Sequence, residues 1–197
     1  MMRLMMGLAC LGLMTLISTT HAQGPAESSY YPLKPGTKWT YVVQGTTIVM
    51  KVEKLEKIGE TMCAKIDTII NEKSVANEHV AVAADGIYRH AINGMVPASP
   101  VKFFALPVKV DGGDSWTVDT KIKDKAVKGK FVTKKEKVKV PAGEYDAIQV
   151  DGADFEIDGQ KTSVKFWFAD KVGIVKLSFS LGGMDATLEL EKFEAAK

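Results

Sequence analysis

The stretch from Val138 to Lys176 leaves this chain the least freedom. It reads Val-Lys-Val-Pro-Ala-Gly-Glu-Tyr-Asp-Ala-Ile-Gln-Val-Asp, a turn at Asp158-Gly159, the run Val164 to Phe168, Ala169-Asp170, and Val-Gly-Ile-Val-Lys. Apolar side chains alternate with polar ones, which puts them on one face of an extended strand. Pro141, Gly143, Asp158-Gly159, Asp170 and Gly173 supply fixed or positive φ at each break. The spacing therefore predicts strand, turn, strand, turn, strand, turn, strand.

The rest of the chain follows the same rule. Lys34-Pro35-Gly36-Thr37 is a turn, and Trp39, Tyr41 and Val43 share a strand face behind it. Ile48, Met50 and Val52 alternate with Lys51 and Glu53, and Met62, Ala64, Ile66 and Ile70 oppose Cys63, Lys65 and Asp67. Val80 to Ala84 ends at Asp85-Gly86, a hairpin signal, before Ile87. Pro100 and Pro107 bound the short apolar run Val101 to Leu106. Asp111 to Asp114 turns into an alternating strand led by Trp116, and Ala186, Leu188 and Leu190 face inward on the last strand. No segment keeps a helical apolar stripe for three turns. The expectation is an all-β fold of about eleven antiparallel strands, forming a strongly curved sheet, an open barrel or a sandwich.

Parts of the first half recur in the second, in the same order. Gly36-x-x-Trp39-Thr is echoed by Gly113-x-x-Trp116-Thr, and Gly59-Glu60 by Gly143-Glu144. Ala84-Asp85-Gly86-Ile87 is echoed by Ala169-Asp170 with Gly173-Ile174. One domain is expected over 30–193, followed by a tail at 194–197; the echoes read either as duplicated halves, 30–105 and 106–193, or as reuse of the small turn vocabulary of β proteins. Trp39, Trp116, Gly36, Gly113, Gly143 and Gly173 are its expected structural anchors, with the two tryptophans in equivalent places.

Residues 1–22 read as a signal peptide rather than as part of the fold. Arg3 precedes an apolar run from Leu4 to Ile17, and Thr20-His21-Ala22 places small residues before a cleavage point at Gln23. That run is too short for a comfortable membrane span. Residues 23–29 read as a flexible leader. Without 1–22, 175 of the 197 residues remain and the formal charge falls from +2 to +1, leaving no strong field for an anionic partner. Of the two cysteines only Cys63 remains, so no internal disulfide is expected and burial alone must hold the fold. The expected location is the periplasm or the extracellular medium.

Three motifs carry a family resemblance. They are Tyr31-Pro-Leu-x-x-Gly36-x-x-Trp39-Thr-Tyr41, Val138-x-Val140-Pro-Ala-Gly143-x-Tyr145, and Trp167-Phe-Ala-x-x-Val172-Gly-Ile-Val-Lys176. In this order they resemble a group of exported bacterial β-rich proteins, loosely similar in architecture to the LolA/LolB-type lipoprotein carriers. The resemblance implies a curved antiparallel sheet and says little about chemistry.

Catalytic signals are sparse. His79 and His90 have no ligand-type neighbour at metal-binding spacing. Asp111 to Asp114 is too short for a calcium loop, and no nucleophile elbow, phosphate loop or dinucleotide fingerprint is present. No metal, cofactor or catalytic residue is therefore assigned. Nine lysines fall between Lys121 and Lys139, but the exported chain has Arg89 as its one arginine and the run lacks stacking aromatics. A solvated strand face guarding a sheet edge explains it better than nucleic-acid binding. Phe166-Trp167-Phe168 and Phe103-Phe104 put apolar rings on both faces of their strands. These five are the expected ligand-binding residues. The function expected is a non-enzymatic extracytoplasmic module for an apolar small molecule or lipid. The alternative is a structural domain meeting an envelope protein.

Overall fold

The computed structural model describes residues 27–109 and 111–197; the expected signal peptide lies outside the described residues. Twelve strands follow one another: β1 Lys38–Val43, β2 Thr46–Ile58, β3 Thr61–Ile70, β4 Lys73–Ala83, β5 Gly86–Ile92, β6 Val101–Ala105, β7 Gly112–Ile122, β8 Lys125–Val140, β9 Gly143–Ile157, β10 Gln160–Ala169, β11 Gly173–Leu181 and β12 Met184–Glu194. All are antiparallel and form one sheet in the order β6-β5-β4-β3-β2-β1-β12-β11-β10-β9-β8-β7. Every strand pairs with its neighbours in sequence except β6 and β7, which are the two edges, and the two terminal strands pair with each other in the middle of the sheet. The sheet curls into a nearly closed barrel, the second of the three shapes expected.

The count is twelve rather than about eleven, and two strands run longer than local alternation suggests. β4 begins at Lys73 although its apolar alternation starts at Val80. β8 continues for 16 residues through Lys134-Lys135-Glu136-Lys137, where no apolar side chain marks it. Pairing of Lys134 to Gln149 and Lys137 to Asp146 holds it extended there. Backbone ladders thus supply what the side-chain pattern omits.

At one end of the barrel four hairpins close on two residues, both with positive φ: Gln44-Gly45, Asn71-Glu72, Asp158-Gly159 and Gly182-Gly183. Such turns match the twist of the strands they join. The opposite end is stoppered by the N-terminal segment. Lys171 N donates to the Ser29 carbonyl (2.8 Å), and Tyr31 packs against Trp39, Phe103 and Phe168 with ring centroids 5.3, 6.0 and 6.1 Å away. Trp39 Nε1 donates to the Val172 carbonyl (2.6 Å). A side chain at Gly173, where φ is +99°, would sit 3.1 Å from that nitrogen, so the anchor role expected of Gly173 has a steric basis.

The remaining edges, β6 and β7, meet at a seam. Ala98 N donates to the Lys121 carbonyl (2.8 Å), Ser99 N to Thr120 Oγ1 (3.0 Å), and Trp116 Nε1 to the Lys102 carbonyl (2.9 Å). Both tryptophans thus lie in the first strand of a six-strand half and bond a backbone carbonyl. Trp39 is fully buried, whereas Trp116 is half-buried against Phe131 at 5.3 Å. The sequence echoes also fall six strands apart: the β2–β3 and β8–β9 turns, and the β4–β5 and β10–β11 junctions.

Candidate functional site

The interior is filled towards the stoppered end by aromatic side chains from facing strands. Phe104 lies 4.3 Å from Phe168 and Phe103 lies 5.9 Å from Phe166, while on the paired strands β8 and β9, nearer the other end, Phe131 lies 4.6 Å from Phe155. β5 and β6 shift register between Ile87 and Tyr88, which leaves Phe103 without a partner. The bulge turns Phe103 and Phe104 to the same side, so both rings reach β10. Four of the five expected ligand-binding residues, Phe103, Phe104, Phe166 and Phe168, therefore come together as packed core. Trp167 does not join them. Alternation sends it to the other face of β10, where its Nε1 donates to Glu136 Oε2 (3.1 Å), the oxygen that also accepts from Gln149 Nε2 (2.8 Å).

Towards the end with the tight turns, on the side of β1, β2, β11 and β12, a cavity of about 490 Å³ opens. Its walls come from both sides of the central β12–β1 pairing. Val43, Ile48 and Met50 stand on β1 and β2, and Leu177, Phe179 and Leu188 on β11 and β12. The registers explain this shared face: Tyr41 pairs with Ile48, Leu177 with Leu188, and Phe179 with Ala186. The volume lies within the range of small-molecule sites, roughly 300–1,000 Å³.

Glu78 and Arg89 also line the cavity. Arg89 Nε donates to Glu78 Oε2 at 2.5 Å, with side chains 19% and 12% exposed respectively. The guanidinium carbon lies 4.3 Å from the centroid of Phe103 and 5.2 Å from that of Phe166, so the packed aromatics form the bed on which the cation rests. The other oxygen of Glu78 accepts from the Tyr31 hydroxyl (3.4 Å). Burial, and then the neighbouring carboxylate, raise the Tyr31 pKa well above its ordinary value, so the phenol stays a donor. A connected line of side chains thus runs from the stopper through Tyr31 and Glu78 to Arg89. Among the described residues, the two Nη groups of Arg89 carry no hydrogen bond, leaving donors to spare beside an apolar wall.

Sequence reasoning named neither half of this pair as a site. Glu78 precedes the apolar run that marked its strand, and Arg89 was singled out only as a lone arginine. The available signal was that arginine's position: it follows Ile87 by two, which puts it on the inward face.

No protein-family model matches the chain, and no curated protein matches it. Two solved structures are similar. One is a lipoprotein candidate from Parabacteroides distasonis, 13% identical, covering 85% of this chain and 99% of its own, with a TM-score of 0.50. The other is a candidate exported protein with a YmcC-like fold from Bacteroides fragilis, 16% identical, covering 85% of this chain and 100% of its own, with a TM-score of 0.51. At these identities the likeness is one of fold.

Proposed function

We propose that the protein is an exported, non-enzymatic binding module that takes an apolar or lipid-like ligand into the open end of the barrel. One observation carries the reading: a nearly closed barrel, filled at one end, keeps an apolar-walled opening of about 490 Å³ at the other. Leaving Val43, Ile48, Leu177 and Phe179 only partly buried forgoes burial worth roughly 25 cal/mol per Å², which a bound chain would recover. The signal-type segment at 1–22 supports export, as does the likeness in fold to a lipoprotein candidate and a candidate exported protein. Placement in the periplasm or outside the cell belongs to this reading. Native mass spectrometry of the protein purified from its own cells is expected to show a co-purifying apolar molecule. Phe179→Asp should abolish it without unfolding the barrel. A single unliganded mass for both proteins would overturn the reading.

A second reading has its own observation. Among the described residues, the three most exposed large apolar side chains, Val75 (56%), Val96 (60%) and Met184 (69%), all lie at the open end. They would serve a structural or interaction domain whose rim meets an envelope protein. Cross-linking from position 184 in cells would then capture a protein rather than leave the chain alone.

A further inference from the structure

We infer that the cavity is specific for a single-chain amphiphile with a singly charged anionic head, a fatty-acid-like carboxylate, and that Arg89 is the residue that reads the head. The inference rests on the binding reading above and deepens it. The walls offer a hydrocarbon chain Ile48, Met50, Leu177, Phe179 and Leu188; Thr68, Asn77 and Asn93 are the uncharged polar residues of the lining, and Glu78 and Arg89 its charged ones. Of the guanidinium's five N–H donors, Nε–H is committed to Glu78 Oε2, and among the described residues the Nη groups have no partner. The Glu78 bond and the Phe103 and Phe166 rings, 4.3 and 5.2 Å from the guanidinium carbon, hold the group in place before a ligand arrives. A planar carboxylate matches two of those donors.

Glu78 sets the charge of the head. Its carboxylate shares the same guanidinium, so an entering anion meets a pair whose charges already sum to zero. A monoanion leaves the cluster at one net negative charge, whereas a phosphate monoester dianion would leave two in a weakly solvated site. The cavity volume is that of a small-molecule site, which favours one chain over a two-chain lipid.

Calorimetric titration of the folded protein with decanoate, decanol and decyl phosphate, each below its micelle concentration, tests this. Decanoate should bind about tenfold or more tightly than decanol, the factor expected of a hydrogen-bonded charge, and more tightly than decyl phosphate. Glu78→Gln, which keeps a hydrogen-bonding side chain but removes the competing charge, should tighten decanoate several-fold and leave decanol unchanged. The double variant Arg89→Met with Glu78→Gln avoids stranding a buried charge and should make decanoate and decanol equal. Equal binding of decanoate and decanol by the unaltered protein would overturn the head-group assignment while leaving an apolar site in place. Preference for decyl phosphate would overturn the monoanion argument. Binding of none of the three would remove both this inference and the reading beneath it.

Discussion

Cys63 lies where alternation puts it, on the register opposite Ala64 and Ile66, but polar neighbours in sequence do not make it exposed. It is fully buried, its thiol donates to the Thr61 carbonyl (3.6 Å), and burial pushes its pKa up to about 11. A thiol so placed is a packing group and a poor nucleophile. Next to it in the sheet, Glu56 shows a pairing that no local pattern discloses. Lys54 Nζ and His79 Nε2 both approach its carboxylate at 2.5 Å. Lys54 first, and His79 second, lower its pKa from 4.5 to about 2. A carboxyl held below its unfolded value stabilises the fold above that value, and the contribution fades as pH falls towards about 2. Glu56→Gln should therefore lower the urea midpoint at neutral pH by an amount that shrinks through that acid window. A gap that stays constant with pH would show that the charge is not responsible.

Turn chemistry was the most legible level of the elements. Asp158-Gly159 and Gly182-Gly183 close hairpins where the sequence says they should. Asn71-Glu72 closes one too, but with a residue poorly suited to its place, since Glu72 holds φ at +64°. An L-residue there costs roughly 1–2 kcal/mol relative to glycine, less what glycine loses in unfolded-chain entropy. Glu72→Gly is expected to raise the thermal midpoint modestly, consistent with up to about 1 kcal/mol, and a fall would contradict this account of the turn. Two other glycines carried no sequence signal of their role. A methyl at Gly129 would lie 2.4 Å from the Phe155 ring, and one at Gly152 would lie 2.7 Å from Phe131. They sit inside strands because aromatic rings cross over them, and that contact is set by the register of β8 on β9.

At the scale of the whole molecule, alternation and turns were enough for an all-β antiparallel fold, but the ring-like strand order was not readable. Pairing of β1 with β12 joins residues at opposite ends of the chain, and nothing local encodes it. The site was hidden for the same reason. Glu78 and Arg89, on the β4–β5 hairpin, come to share a cavity with Leu177 and Phe179 on β11 only once the barrel has curled. The aromatic runs were visible, and they mark the bed under Arg89 rather than the opening itself. The topology makes a direct prediction. Glu27 and Ala196 line one surface hollow at the stoppered end, and the break in the sheet lies between β6 and β7. A permutant opened in the β6–β7 connection, with Lys197 joined to Glu27 by a short flexible linker, should fold with the parent far-ultraviolet spectrum. It should unfold in one transition. Two separate transitions would instead mean that the halves are held together by the covalent connection rather than by the β1–β12 ladder.

The stopper has one more consequence. Because Ser29 and Tyr31 are fastened at the closed base, the described chain begins on the side of the molecule facing away from the cavity. Anything that moored the protein by its amino end would present the base to the mooring and leave the aperture looking outward, free to receive cargo from the surrounding fluid.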